Sequence, residues 1–447
     1  AAGAESTGDE LVLDQVDWTA PARSPVIRSA PDGLAVWSKP WGGKGSEFLS
    51  SLVSDGADGV FVSGSFQGDL EIDGGTLRAG SSQPFAARLD GAGSASWRHA
   101  FGFADLQVHR VTADSSGRVF VGGATGAEGA VEAVVAQVDP KGGWHWKRAL
   151  PIGSPRIAAM AVDADNRLFV AGTGRTHEGI FGAFVARLDA DGELLWTRHF
   201  AVQAQVPNLA VGEHGVVVGA FREGLRVDDA ALQSAYGQEG FAVALDEAGR
   251  VLWHHQLGGR SGEKFVDGAC FDQKGNVYLS GSGLEGDYEG LALIKLDAQG
   301  HAQWKREYEL VGERAGLASS RLALGSDGDL VVAGAFAGEM DLGGGVLRSA
   351  GSADLFVARF SSEGDHRWSA AWGDAGEQQL TGLVVLQNGD LVLGGSFHTW
   401  LDFGLGRRGR IRRLVARRWS REQRGDGTLT SNARGTSQPG SNSTGPG

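Results

Sequence analysis

Arg187-Leu188-Asp189-Ala190-Asp191-Gly192-Glu193-Leu194-Leu195-Trp196 reads as the end of one strand, an Asp-x-x-Gly turn, and a second strand carrying a Trp. The turn has a mechanism: Asp hydrogen-bonds its own backbone, and Gly accepts a left-handed conformation. The frame recurs as Asp90…Gly93…Trp97, Asp139…Gly142…Trp146, Asp246…Gly249…Trp253 and Asp297…Gly300…Trp304. Ser361…Gly364…Trp368 keeps the spacing with Ser for Asp, and Gly33…Trp37 keeps the Gly-to-Trp half.

A second hairpin lies between successive Trp markers. Its closing strand centres on Val60-Phe61-Val62-Ser63-Gly64 in the first copy and on Leu391-Val392-Leu393-Gly394-Gly395 in the seventh. Such β-branched and aromatic runs, bounded by turn formers, are strands. Each repeat therefore holds four strands, and the Trp-to-Trp intervals are 60, 49, 50, 57, 51 and 64 residues. Four strands in about 50 residues is the size of a propeller blade. The length differences fall between the second and third strands, with long versions at 66–83, 221–239, 336–353 and 397–413. All four lie on one side of the blades, where function is most readily grafted.

After Phe397 the sequence offers a degraded strand, Leu414-Val415-Ala416-Arg417, and no clear Trp strand. Val26-Ile27-Arg28 and Leu34-Ala35-Val36-Trp37 supply what is missing. The prediction is an all-β, seven-bladed β-propeller of four-stranded blades, its ring closed by the N-terminal strands so that no edge stays open. Residues 1–22 read as an irregular leader or linker, 23–423 as the single propeller, and 424–447 as a Gly/Ser/Thr/Pro tail. That tail holds too little apolar surface to offset the entropy of ordering.

The formal net charge of −13 is unevenly spread, because residues 404–447 hold ten Arg and two acids. The acidic remainder argues against nonspecific nucleic-acid binding. No run approaches the roughly 18 to 20 apolar residues of a membrane span. A single Cys, Cys270, excludes an internal disulfide framework. The opening Ala1-Ala2-Gly3-Ala4, without Met, is read as a removed targeting segment or an internal start.

Trp41-Gly42-Gly43, the Val-Phe-Val-Ser-Gly strand, Gly68-Asp69-Leu70-Glu71-Ile72-Asp73-Gly74-Gly75 and Phe184-Val185-Ala186-Arg187-Leu188-Asp189 resemble the bacterial seven-bladed propeller repeats called SBBP. The likeness covers residues 25–418. It implies an extracytoplasmic protein, secreted, periplasmic or on the cell surface, with a binding or scaffolding role and no shared reaction. The Asp189…Gly192…Trp196 frame is also similar to the tryptophan-docking motif of pyrroloquinoline-quinone dehydrogenases and of cofactor-free relatives that help assemble outer-membrane proteins. The Thr-Gly of that motif is absent, its spacing is one residue longer, and there is no vicinal Cys pair, so no cofactor is carried over.

The periodic tryptophans Trp37, Trp97, Trp146, Trp196, Trp253, Trp304 and Trp368 read as structural, packing between neighbouring blades. Trp400 stands outside the repeat frame in a long connection and is a candidate ligand contact. Arg407, Arg408, Arg410, Arg412 and Arg413 form a candidate polyanion patch, weighed against an exposed connection neutralised by the acidic body. Eleven His show no metal-ligand spacing, and Asp55–Asp58 and Asp163–Asn166 read as turns rather than calcium loops. No catalytic, cofactor or metal residue is nominated, because no nucleophile elbow, phosphate loop or zinc-protease motif occurs. The function predicted is a noncatalytic extracytoplasmic binding or scaffold propeller, monomeric, engaging a protein or glycan through one face and its long loops. The alternatives are a propeller enzyme with a funnel site, a lyase or glycan-active hydrolase, or an outer-membrane assembly scaffold. An enzyme would show inward-facing polar residues that break the repeat pattern.

Overall fold

Each Asp-x-x-Gly segment folds by satisfying its own backbone. Asp189 Oδ1 accepts the N–H groups of Asp191 at 3.0 Å and Glu193 at 2.8 Å, while Gly192 sits at φ +80°. Asp90, Asp246 and Asp297 make the same pair of bonds, and Ser361 Oγ does so in the copy that lacks Asp. The first hairpin turns the same way around Asp55, Asp114, Asp163 and Asp272. Asp55 and Asp163 thus each spend one carboxylate oxygen on their own turn.

The computed structural model describes residues 26–397 apart from short stretches within that span, the longest being 259–264 and 283–288. The leader 1–22, the strand at 414–417 and the tail 424–447 lie outside the described residues. The described chain is all-β, and all its strand pairs within sheets are antiparallel. Glu47–Ser54, Val60–Ile72, Gly75–Leu89 and Ala95–Ala100 form one sheet in sequence order, and Ala204–Val211, Gly215–Val227, Ala230–Leu245 and Val251–Leu257 form another.

Two junctions differ from the expectation of separate blades. Trp144–Val162 and Ala302–Leu324 are single strands that serve one repeat with their first half and the next with their second. They merge what the sequence divides into sheets of seven and eight strands. The cause is local: the chain passes through Pro151-Ile152-Gly153-Ser154-Pro155 without a reversing turn, and irregular pairing at Gly153 and Arg156 absorbs the change of partner. At the other end of the chain, Val26–Ser29 pairs with Ala35–Lys39 on one side and with Leu391–Phe397 on the other, giving a sheet that joins the first described strands to the last.

The core lies between successive sheets, which makes the assembly propeller-like. One cluster joins Phe169, Val185 and Phe200 of one repeat to Val217, Phe221 and Phe241 of the next; another joins Val26 and Val392 to Leu49, Val60 and Phe85. Three long connections are extended hairpins rather than open loops. They tuck in Leu70 and Ile72, Leu225 and Val227, and Met340 and Leu342, each no more than 1% exposed. The tips of the first two are latched to the preceding repeat by Lys39 to Asp73 at 3.6 Å and by Arg198 to Asp228. The fourth long connection, from 398, lies outside the described residues.

The repeating Trp fastens the outer strands. Trp196 Nε1 donates to Glu247 O at 2.9 Å, one residue past the Asp of the following turn. Trp37 reaches Gly91 O, Trp253 Ala298 O, Trp304 Ser362 O and Trp368 Pro31 O in the same way. The indole lies over the turn glycine, so a Cβ on Gly249 (φ +76°) would meet Trp196 Cδ2 at 2.8 Å. Gly249→Ala combines left-handed strain with this overlap and is expected to cost about 2 kcal/mol, read as a lower urea midpoint at unchanged slope.

Candidate functional site

Strand register makes residues of different repeats equivalent. Opposite the fourth residue of each Val-Phe-Val-Ser strand stand Ser51, Arg110, Ala159, Asn208, Gly268, Arg321 and Gly382. Five of these are short. At two of them the repeat places a guanidinium where its other copies keep a small side chain.

These residues sit on the first strands of the repeats, which lie side by side. Most of those strands carry an irregularity at this point, between Leu49 and Ser51, Val108 and Arg110, Val266 and Gly268, and Leu380 and Gly382. A bulge leaves one residue out of the ladder and re-aims its neighbours. The freed carbonyl is taken by the preceding repeat: Arg110 Nε donates to Ala158 O at 2.6 Å, Asn208 Nδ2 to Asp267 O at 3.1 Å, and Arg321 Nε to Thr381 O at 3.3 Å. One step toward the strand start, another level holds Phe48, Gln107, Arg156, Phe265 and Gln379. Phe48 is 65% exposed there, unusual for a Phe at an ordered strand position.

The electrostatics of this lining are unlike those of the rest of the chain. Burial lowers the Arg110 pKa from its ordinary value, and the charges of Arg321 and Arg156 lower it further. Burial also lowers that of Arg321, against the pull of Asp267. An Arg remains charged under such shifts. Burial raises the Asp267 carboxyl to about 6, with Arg321 opposing. His109 is held below its usual value by burial and then by Arg110 and Arg156, and its Nδ1 accepts the Ile157 N–H at 3.2 Å. Buried arginines elsewhere have carboxylates: Arg28 with Asp390 at 2.7 Å, Arg187 with Asp163 at 3.2 Å, Arg359 with Asp329 at 3.1 Å. Among the described residues, no carboxylate lies within ion-pair distance of Arg110, Arg156 or Arg321.

The residues singled out from the sequence fall elsewhere. Trp400 and Arg407, Arg408, Arg410, Arg412 and Arg413 lie outside the described residues. The Trp series lines the outer strands, away from the first strands. Cys270 is partly buried opposite Tyr278, at the register of Thr112 and Ala161, and burial pushes its thiol far above the ordinary range. It is unsuited to act as a nucleophile. Among the described residues no three His, Cys, Asp or Glu side chains converge, and no helix is long and apolar enough to cross a membrane. Sequence reading missed the Arg110–Arg321 lining because first strands carry no Gly or Trp marker. Counting back from the Val-Phe-Val-Ser strand of each repeat exposes both arginines.

No family model matches the chain. The regulatory protein FlaEY of Caulobacter vibrioides is 32% identical over 125 residues, which are 27% of this chain; the chain spans 13% of that protein's length. A solved protein from Lactobacillus plantarum is 12% identical, with a TM-score of 0.43 over 78% of this chain and 96% of its own. Drosophila Plexin A in complex with Semaphorin 1b is 8% identical, with a TM-score of 0.36 over 78% of this chain and 85% of its own. Neither likeness bears on function.

Proposed function

We propose that the chain is a seven-bladed β-propeller closed by its N-terminal hairpin, and that it serves outside the cytoplasm as a noncatalytic binding module. The strand neighbours support the ring. Glu47–Ser54 touches Gln107–Ala113, which touches Trp144–Val162; contact then passes through Ala204–Val211, Phe265–Phe271, Ala302–Leu324 and Gln378–Val385 back to Glu47–Ser54. First strands in that order would surround a central channel. The extracytoplasmic placement follows the resemblance to secreted repeat proteins.

The observation that carries a binding role is the replacement of small residues by Arg110 and Arg321 on that lining. The repeat frame does not require a guanidinium, since Ser51, Ala159 and Gly382 serve at the same register, although Arg110 and Arg321 each also hold a carbonyl of the next repeat. A partly desolvated cation without a carboxylate is costly unless something else meets it. A second reading, an enzyme with a funnel site, is favoured by the raised carboxyl of Asp267, which feels Arg321, and by the lowered His109 next to Arg110, since perturbed groups gather where proton transfer is done. The two separate in one assay. The full chain is screened by thermal shift against calcium, pyrroloquinoline quinone, saccharides and peptides, and each ligand that raises the melting temperature is assayed for conversion. Stabilisation without turnover is expected; turnover lost in Asp267→Asn would replace the noncatalytic reading.

A further inference from the structure

We infer that the channel mouth binds an anionic saccharide, its acid group held by Arg110, Arg156 and Arg321 and its ring face laid on Phe48. The inference rests on the binding reading above and names the ligand class. In a chain of net charge −13, the first strands bring Arg110 within reach of the charges of Arg156 and Arg321, and of these Arg321 feels a carboxyl, that of Asp267. Arg110 and Arg321 are anchored through Nε to the carbonyls of Ala158 and Thr381. Their terminal nitrogens lean on local backbone as well, Arg110 on His109 O at 3.4 Å and Arg321 on Ser320 O at 2.9 Å. Anchored guanidiniums are pre-positioned for a planar or tetrahedral oxyanion, which they meet with paired N–H bonds.

The level above narrows the class. Phe48 at 65% exposure offers an apolar platform, and Gln107 and Gln379 place amide donors and acceptors beside it. Aromatic, amide and guanidinium together suit a pyranose with hydroxyls, an apolar ring face and a carboxylate or sulfate. An extended nucleic acid would meet the acidic body of the chain. An acidic peptide needs the cations but leaves the exposed aromatic unexplained.

The test uses the full chain and four probes: oligogalacturonate for the carboxylate source, a heparin oligosaccharide for the sulfate source, methyl-esterified oligogalacturonate as the uncharged isostere, and polyglutamate. Calorimetric titration is run at low and moderate salt. At least one acidic saccharide binds, and the ester binds about tenfold or more weaker. Arg110→Ser with Arg321→Ser installs the side chain found at Ser51, so the fold is kept, and weakens the acidic ligand by about thirtyfold. Phe48→Ala, at an exposed position, weakens it by about fivefold. Equal binding of the ester, or preference for polyglutamate, overturns the saccharide-anion inference while the binding reading stands. Binding of acidic saccharide untouched by the paired Ser variant in a protein of wild-type melting temperature overturns the inference, since the site then lies elsewhere, while the binding reading stands. No heat with either acidic saccharide overturns the inference alone if another ligand stabilises the chain.

Discussion

Removal of residues 1–39 abolishes the cooperative melt of the whole domain. The segment is small, yet its contacts join opposite ends of the chain. Val26 and Ile27 are 0% and 1% exposed, and Val26–Ser29 supplies the ladder partner of Leu391–Gly394. Arg28 bonds Asp390 at 2.7 Å and Gly91 O at 2.5 Å, bridging the last described hairpin to the first full sheet. Trp37 donates to Gly91 O at 3.0 Å, while Trp368 and Arg359 lose Pro31 O as acceptor. Together these contributions are on the order of 10 kcal/mol, against a net domain stability of about 5–15 kcal/mol. Circular dichroism of the truncated chain should show a broad, early loss of structure. A cooperative melt within about 5 °C of the full chain would refute closure by this hairpin.

Arg187→Ala is the most damaging single substitution expected, at about 3–5 kcal/mol. The side chain is 3% exposed and three partners converge on it: Asp163 Oδ2 at 3.2 Å, Glu247 O at 2.7 Å in the following turn, and the Phe169 ring at 4.9 Å. Truncation strands a carboxylate that is itself 4% exposed, although Arg167 still reaches it at 2.8 Å. Arg187→Lys keeps the charge and loses the fork, so it recovers less than half of the loss. Burial pushes the Asp163 carboxyl up, but hydrogen bonds from the Arg167 backbone and side chain, and from Arg187, hold it below its ordinary value. A carboxyl depressed in the folded state contributes stability above its unfolded pKa and loses it as pH falls through the folded one. The gap between wild type and Arg187→Ala therefore narrows below pH ~4 and is constant from there to neutrality. Denaturant titrations at several pH values check both statements.

Legibility from sequence followed the range of the interactions. The Asp189 turn is written in four adjacent residues, and Ser361 stayed readable because its hydroxyl makes the same two bonds. The inner parts of strand pairs, such as Val60–Gly64 against Phe85–Leu89, were marked by β-branched runs and their turns. The hidden features are nonlocal. The segment Pro151–Pro155 within Trp144–Val162 lacks a reversing turn, but that one strand serves two repeats shows only in its two ladders, with Glu132–Val138 and with Leu168–Arg175. Nothing within Gln107–Ala113 itself marks Arg110 as equivalent to Arg321; the equivalence shows only when each is counted back from the next strand of its own repeat, and the ladder bears it out. The hairpins after Phe66 and Phe221 could be seen as long, but not as folded inward on Leu70 and Leu225.

The tryptophan contacts also make the chain its own set of optical reporters. An indole whose N–H is held by a carbonyl of the following repeat emits according to whether that junction is intact, and is largely indifferent to its own hairpin. Trp196 thus reads the seam at Glu247 and Gly249, Trp304 the seam at Ser362, and Trp368 the seam at Pro31 that links the two ends of the described chain. Replacing all but one of the chain's 13 Trp with Phe would turn the emission of the survivor into a local gauge of how neighbouring repeats part.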